Sequence, residues 1–379
     1  MTLTDRGFAC IAFQKRHSTM LNKRYEPLHL KYRPKRLDDL IGQPIVSRAL
    51  RNAIGGRIPN AFLFSGIRGT GKTTAARIVA ASLNCSQTDA PTVTPCGECL
   101  NCRGIWNGSS LDVMEIDAAA HNGVDDIREL IQNCQLSTIS GRFRVVILDE
   151  CQQLSKQSQN AFLKTLEAPP ASVVFVLATT EPNKLLDTII SRCIHLRFKR
   201  IRTEDLSDRL AYIAALENLT VSRDAVTLLA QSCDGSLREA LQLLDQLAGE
   251  DITVEGIRTA LGLPAAELML RIVNAIMTPI YSECIALVKQ GLEVSTPEQL
   301  LNQLTLIFRD LYLLSLDQNA NDLRSGLDVK DLIPVADGLD PETAEILLNI
   351  LRQKSALTLP NPEVWLEIVL LDLARTMGF

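Results

Sequence analysis

From about Tyr25 to Lys199 the apolar positions switch repeatedly between two periods. Short strand-like runs stand at Ala61–Phe64, Asp112–Ile116, Arg144–Leu148, Val173–Ala178 and Ile194–Phe198. Between them apolar residues recur at three-four spacing, which predicts helices over Ile45–Ile54, Thr73–Leu83, Val124–Cys134 and Gln157–Leu166. Strands alternating with helices predict an α/β domain whose parallel sheet is covered on both faces. In such folds ligands sit at the carboxyl ends of the strands.

The pattern changes at Thr203. Thr203–Leu216, Ser222–Ser232 and Ser236–Leu247 read as amphipathic helices, with Thr203 and Ser222 as N-caps followed by acidic residues. Gly262-Leu263-Pro264 is a break. Beyond it Ala265–Met277, Ile280–Gln290, Pro297–Leu316, Pro341–Leu357 and Pro362–Met377 are leucine-rich at helical spacing. The expected organisation is therefore an α/β domain over 25–200, a small helical domain over 201–262 and an all-α domain over 263–379. The last holds no cluster of catalytic type, so packing or oligomerisation is its expected work. Residues 1–24 fit neither pattern and are expected to form a disordered extension; Met20 is an equally good start. Their apolar run, Phe8–Phe13, is too short and too poorly flanked for a signal peptide.

Composition narrows the classes. Among 379 residues 46% are hydrophobic and 22% charged, as in ordinary globular proteins. Aromatic residues are 4%, which leaves little surface for stacking bases, and the net charge of −5 excludes a basic DNA-binding domain overall, though not a local basic face. No apolar stretch is long enough to span a bilayer, so no membrane partner is expected. Six of the ten cysteines (Cys10, Cys134, Cys151, Cys193, Cys233, Cys284) are scattered singly, as buried thiols of a reducing compartment are. A cytoplasmic location is expected.

Three stretches carry chemistry. Gly66-Ile67-Arg68-Gly69-Thr70-Gly71-Lys72-Thr73 fits G-x-x-x-x-G-K-[ST], and it lies between a predicted strand and a predicted helix. That setting aims bare backbone N–H groups from Gly66, Gly69, Thr70, Gly71 and Thr74 at phosphates. Lys72 would reach the β and γ phosphates of a nucleoside triphosphate, and the Thr73 hydroxyl would ligate Mg²⁺. About 75 residues later, Arg144-Val145-Val146-Ile147-Leu148-Asp149-Glu150 is an apolar strand ending in two carboxylates. Asp149 would hold Mg²⁺ through water, and Glu150 would polarise an attacking water as general base.

The third stretch is Cys85-x10-Cys96-x2-Cys99-x2-Cys102, a metal module over about 85–102. Four thiolates close a tetrahedron around Zn²⁺ and leave no open position, so the site would be structural. An iron–sulfur cluster is the rival ligand, and free thiols the alternative to any metal. The four histidines, His17, His29, His121 and His195, are unclustered and read as ordinary polar or core residues.

The same motifs, in order, resemble a known family. Lys31-Tyr32-Arg33-Pro34, Leu40-Ile41-Gly42-Gln43, the phosphate loop, the four cysteines after its helix and Glu115-Ile116-Asp117-Ala118-Ala119 come first. Leu148-Asp149-Glu150, Asn160–Pro170, Leu177-Ala178-Thr179-Thr180 and Ser191-Arg192-Cys193 follow. The pattern is similar to the clamp-loader AAA+ ATPases of the bacterial DNA polymerase III gamma/tau family. The zinc insertion is the specific marker against Holliday-junction helicases. The resemblance implies a P-loop AAA+ ATPase domain, a helical lid and an all-α collar.

It also implies roles that spacing does not carry. Thr180 would be a polar sensor near the γ phosphate, Arg192 an arginine finger acting on a neighbour's ATP, and Arg238 a second sensor on the lid. The expected function is an ATP-driven motor subunit of the clamp loader, a DNA-dependent ATPase that carries no polymerase site of its own. Its expected partners are delta, delta-prime and further gamma/tau copies, the beta sliding clamp, and primed template DNA bound without sequence preference. Lys31, Arg33 and Lys35 are expected nearer the nucleotide than the DNA. An AAA+ DNA-remodelling helicase subunit and a non-hydrolysing structural subunit remain the alternatives. Two departures stand out: Cys151-Gln152 follows Asp149-Glu150 where the family often has x-His, and Glu239 stands where Asp is common.

Overall fold

The computed structural model describes residues 25–249, 252–317, 323–355 and 361–378. The expected extension over 1–24, with Cys10, His17 and Met20, lies outside the described residues.

Five strands, β1 (Ala61–Ser65), β2 (Val113–Asp117), β3 (Arg144–Asp149), β4 (Val173–Thr179) and β5 (Ile194–Arg197), form one sheet in the order β2-β3-β4-β1-β5. All pairings are parallel. Because side chains alternate along a strand, the two faces divide the strand residues between two cores. Phe62, Phe64, Val145, Ile147, Val174 and Val176 face one way, onto Leu50, Ile78, Val79 and Leu83 of helices α1 (Pro44–Gly55) and α2 (Lys72–Asn84). Leu63, Val146, Leu148, Phe175 and Leu177 face the other, onto Ile127 and Leu130 of α4 (Val124–Cys134) and Phe162 and Leu166 of α5 (Lys156–Glu167). Between α2 and α4 the cysteine segment contributes a short α3 (Leu100–Trp106).

The register sets the functional edge. Ser65 pairs with Thr179, Leu148 with Leu177, and Asp117 with Asp149, so the carboxyl ends of four strands finish level.

After β5 the chain is helical: α6 (Thr203–Glu217), α7 (Arg223–Ser232), α8 (Leu237–Gln246), α9 (Val254–Ala260), α10 (Ala266–Met277), α11 (Tyr281–Leu292), α12 (Pro297–Leu316), α13 (Val329–Ala336), α14 (Pro341–Ser355) and α15 (Pro362–Met377). Ser222 caps α7 through Ala225 N–H at 3.2 Å, whereas Thr203 is already helical. Gly262 takes φ +64°, which makes the break before α10.

Two compact units result. The first runs to Asp205 and includes Gly235–Asp245; the second takes Leu206–Asp234 and everything from Gln246 on. The division therefore falls inside the helical segment 201–262 that the sequence suggests as one domain. Helix α8 belongs with the sheet because its first residues pack on the phosphate loop: a methyl on Gly69 would strike the Ser236 hydroxyl and sit 3.3 Å from Arg238 Cβ. The second unit has its own core, built around Met269, Ile272, Leu304, Phe308, Leu347 and Leu370. In it the buried Asp310 carboxylate accepts from Arg324 N–H (2.8 Å), Ser325 N–H (2.6 Å) and Arg309 Nη1 (2.9 Å).

Candidate nucleotide site and cysteine cluster

Strand β1 stops at Ser65 because the next residue must turn sharply. Gly66, Gly69 and Gly71 have φ of 148°, 80° and 101°, values open only to glycine at little cost. A side chain at Gly66 would also run into the Phe198 carbonyl. The loop is tied back by Gly66 N–H to Thr179 O (3.2 Å) and by Thr70 Oγ1 to Ile67 O (2.9 Å), so Gly66, expected among the phosphate donors, gives its N–H to the sheet and does not line the cavity. Gly71 then starts α2, whose N-terminus carries the partial positive charge that suits an anion.

Lys72 is buried, and its Nζ donates to Gly66 O (2.8 Å) and Ile67 O (2.9 Å). Burial lowers its pKa from the ordinary lysine value, against the opposing pull of Glu150 and Asp149. The Thr73 hydroxyl donates to Asp149 Oδ2 at 2.6 Å, so the two expected magnesium ligands meet, one from α2 and one from the tip of β3. Glu150 follows with φ +49°, left-handed for a residue with a side chain, and its N–H donates to Asp149 Oδ1 at 2.9 Å. That backbone turn is what puts both carboxylates at the strand end.

These groups line a cavity of about 440 Å³. Arg33, Arg68, Lys72 and Arg238 bring positive charge to it, and Glu115, Asp117, Asp149 and Glu150 bring negative charge. Burial, then repulsion from Arg77 and Arg238, lowers the pKa of Arg33; burial, then Arg238 and Arg33, lowers that of His29. Cations crowded strongly enough to disfavour one another make a setting for a polyanion such as a triphosphate.

The four cysteines also converge. Cys85 closes the C-terminus of α2, Cys96 and Cys99 lie in the turn that follows, and Cys102 sits in α3. Their sulfurs all lie within 4.8 Å of one another, and Cys96 Sγ is 4.0 Å from Cys102 Sγ. Backbone N–H groups of Cys96, Glu98, Cys99 and Cys102 point at Cys85, Cys96, Cys96 and Cys99 sulfurs at 3.3–3.4 Å. Such N–H···S bonds stabilise thiolates. Burial works against ionisation of Cys99, yet hydrogen bonds from Ser86 and Cys102 bring it down to about 6, while burial pushes Cys102 up. None of the four is in a disulfide. Sulfurs about 3.8 Å apart are what a tetrahedron with 2.3 Å metal–sulfur bonds requires, so the cluster can hold a metal ion.

With this geometry in place, similarity to known proteins becomes decisive. Residues 42–202 match the family model described as DNA polymerase III, delta subunit, and 205–248 match that of the DNA polymerase III clamp loader subunit, ATPase lid domain. The DNA polymerase III subunit gamma of Buchnera aphidicola subsp. Baizongia pistaciae is 39% identical over 67% of this chain and 69% of its own length. The chain belongs to the DNA polymerase III gamma/tau family. Bacillus subtilis DNA polymerase III subunit tau is 38% identical over 76% of this chain but only 52% of its own length, so this chain spans about half of that relative. The described residues form a five-stranded parallel sheet with helices, then the helices of the ATPase lid match and a helical C-terminal region. A Thermotoga maritima RuvB structure superposes at TM-score 0.46 with 19% identity, over 65% of this chain and 79% of that one.

The residues singled out by family resemblance are placed unequally. Arg238, in α8, lines the cavity with the phosphate loop. Thr180, just past β4, is not among the lining residues and reaches the site through Gln152, whose Nε2 donates to both Thr180 Oγ1 (3.0 Å) and Glu150 Oε2 (2.7 Å). Arg192 is also away from the cavity: it is partly exposed and donates to Glu167 Oε1 and Thr188 O, each at 2.7 Å. Of the basic residues near the start, Arg33 lines the cavity and Lys31 and Lys35 do not. Sequence reasoning gave no site role to His29, which lines the cavity, or to Gln152, which contacts Glu150 from outside the lining and was marked only by the departure at its position.

Proposed function

We propose that this chain is an ATP-driven motor subunit of a bacterial clamp loader. The observation that carries the reading is the Thr73–Asp149 contact beside Lys72 and Glu150, in a cavity that Arg33, Arg68 and Arg238 also line, in a chain of the gamma/tau family. Backbone N–H groups of Gly69 to Thr74 and the Lys72 ammonium would bind and orient the ATP phosphates. Thr73 and Asp149 would hold Mg²⁺, which when bound neutralises charge on the phosphates. Glu150 would take a proton from the attacking water, whose oxygen forms the new bond to the γ phosphorus while the bond to the ADP oxygen breaks. Thr180 would sense the γ phosphate, and Arg238 would read bound nucleotide from the lid. Arg192, which does not line the cavity of its own chain, would act on the ATP of a neighbouring subunit.

Cys85, Cys96, Cys99 and Cys102 would hold one structural Zn²⁺, with no position left for water. The partners would be delta and delta-prime subunits, further copies of this chain, the beta sliding clamp and primed DNA, gripped mainly through phosphates without sequence preference. Among the described residues no helix is long and apolar enough to cross a membrane, and the work would be done in the cytoplasm.

The test is ATP hydrolysis by this protein mixed with candidate delta and delta-prime subunits, with and without sliding clamp and primed DNA. Strong stimulation that needs both clamp and DNA is the expected result. Activity indifferent to the clamp and driven by branched DNA would replace this reading with a DNA remodeller. Silence in every mixture would leave a structural subunit.

A further inference from the structure

We propose that Gln152 is a positioning residue that couples the general base Glu150 to Thr180. The inference rests on the reading of the cavity as an ATP-hydrolysing site. Gln152 stands in the tight turn Cys151–Gln153 that follows β3, and it is buried. Three of the four hydrogen-bonding positions of its amide are used, including both N–H donors. Nε2 donates to Glu150 Oε2 at 2.7 Å and to Thr180 Oγ1 at 3.0 Å, and Oε1 accepts from Thr179 Oγ1 at 2.7 Å.

The chemistry fixes which way the amide faces. An ionised carboxylate only accepts, so the NH₂ end must meet Glu150. Thr179 is fully buried, and its Oγ1 already accepts from Glu181 N–H at 3.0 Å, which leaves its single proton for the Gln152 carbonyl. Gln152 is thus anchored to β4 by its oxygen and divides its two protons between the base and the sensor position. It spans the ends of β3 and β4, which are paired neighbours in the sheet.

This arrangement does something the motif residues cannot do for themselves. Glu150 takes a left-handed backbone conformation, and the amide is the side-chain donor that holds its carboxylate. Thr180 shares that same NH₂ group. A shift of Thr180 on contact with a γ phosphate would therefore be felt at the base through one shared donor, and the base would be aimed only when the sensor is in place. Positioning of this kind acts on the chemical step and leaves nucleotide binding to the phosphate loop.

The experiment measures single-turnover and steady-state ATP hydrolysis in the assembled complex with clamp and primed DNA, for the parent, Gln152→Ala and Gln152→Glu. For Gln152→Ala, kcat should fall about tenfold or more while the Kd for a fluorescent ATP analogue stays within about twofold. Gln152→Glu has the same shape but sets two carboxylates face to face, and such a pair shares a proton only as the pH drops. Its rate relative to the parent should therefore rise several-fold between about pH 8.5 and pH 6, a signature that lost packing would not produce. Should Gln152→Ala fail to fold, this isosteric variant decides alone. A parental kcat in Gln152→Ala, a higher one, or a pH-independent ratio in Gln152→Glu would overturn the coupling. A parent that does not hydrolyse ATP would instead remove the reading on which the proposal rests.

Discussion

At the scale of single residues, one tightly held charge in the first unit lies outside the cavity lining. Asp112 is buried at the entry to β2, where Oδ1 accepts from Ile139 N–H (2.8 Å) and Oδ2 from Ser140 and Gly141 N–H (2.7 and 2.6 Å). Arg144 Nη2 stands 3.6 Å away and also donates to Ser137 O at 2.9 Å. Burial alone would raise the Asp112 pKa, but those hydrogen bonds outweigh it and hold the carboxyl below its usual value. A depressed folded-state pKa gives stability that is present above the unfolded value and lost as pH falls through the folded one. Asp112→Asn should therefore destabilise the protein by about 3 kcal/mol at neutral pH, and its deficit against the parent should shrink toward strongly acidic pH. Urea melts of both proteins across the acid range check this. In the cavity, Lys72→Ala should abolish binding of a fluorescent ATP analogue, whereas Glu150→Gln should bind it and hydrolyse ATP at least about a hundredfold more slowly. Lys72, Thr73, Asp149 and Glu150 are legible in the sequence because each sits in a local pattern tied to one strand end. Gln152, Asp112 and Arg144 are not, since their partners are chosen by the pairing of β3 with its neighbours and by loop closure.

At the scale of elements, periodicity locates the strands to within a residue or so, because buried parallel strands are apolar on both faces and helices between them are amphipathic. Among the helices it passes over, α3, α9 and α13 escape for identifiable reasons. α3 is short and interrupted by Cys102 and Gly104, α9 has a single turn of apolar signal, and α13 contains Pro334. The cysteine segment is the element with most to lose from a single change. It connects the end of α2 to α3, and Arg142 ties its backbone through Leu83 O (3.0 Å) and Cys85 O (2.8 Å). Purified protein should carry one zinc per chain by atomic absorption, and Cys96→Ser should lose it along with several degrees of thermal stability. Metal-free parent protein with four titratable thiols at this site would contradict the assignment. The phosphate loop is equally intolerant. Gly66→Ala asks for a side chain where the backbone is left-handed and the Phe198 carbonyl already sits, and should cost both stability and nucleotide affinity.

At the scale of the whole molecule, the proposed role of Arg192 requires that two chains make one working site. Arg192 lies outside the cavity of its own chain, and Glu167 and Thr188 hold its guanidinium out at the partly exposed end of the short helix before β5. On the proposed reading it would serve a nucleotide bound by another subunit. Mixing then becomes the test. A Lys72→Ala subunit binds no ATP but keeps its Arg192; an Arg192→Ala subunit binds ATP but has no finger to lend. Assembled separately with delta, delta-prime, clamp and primed DNA, each should hydrolyse at least about a hundredfold more slowly than the parent. Assembled together, some interfaces pair an intact cavity with an intact finger, and hydrolysis should return to a sizeable fraction of the parental rate, rising and falling with the mixing ratio. If Arg192 acted within its own chain, every subunit of the mixture would be defective and the rate would stay at the sum of the two variants. Recovery on mixing therefore separates a shared site from a private one without requiring a structure of the assembly.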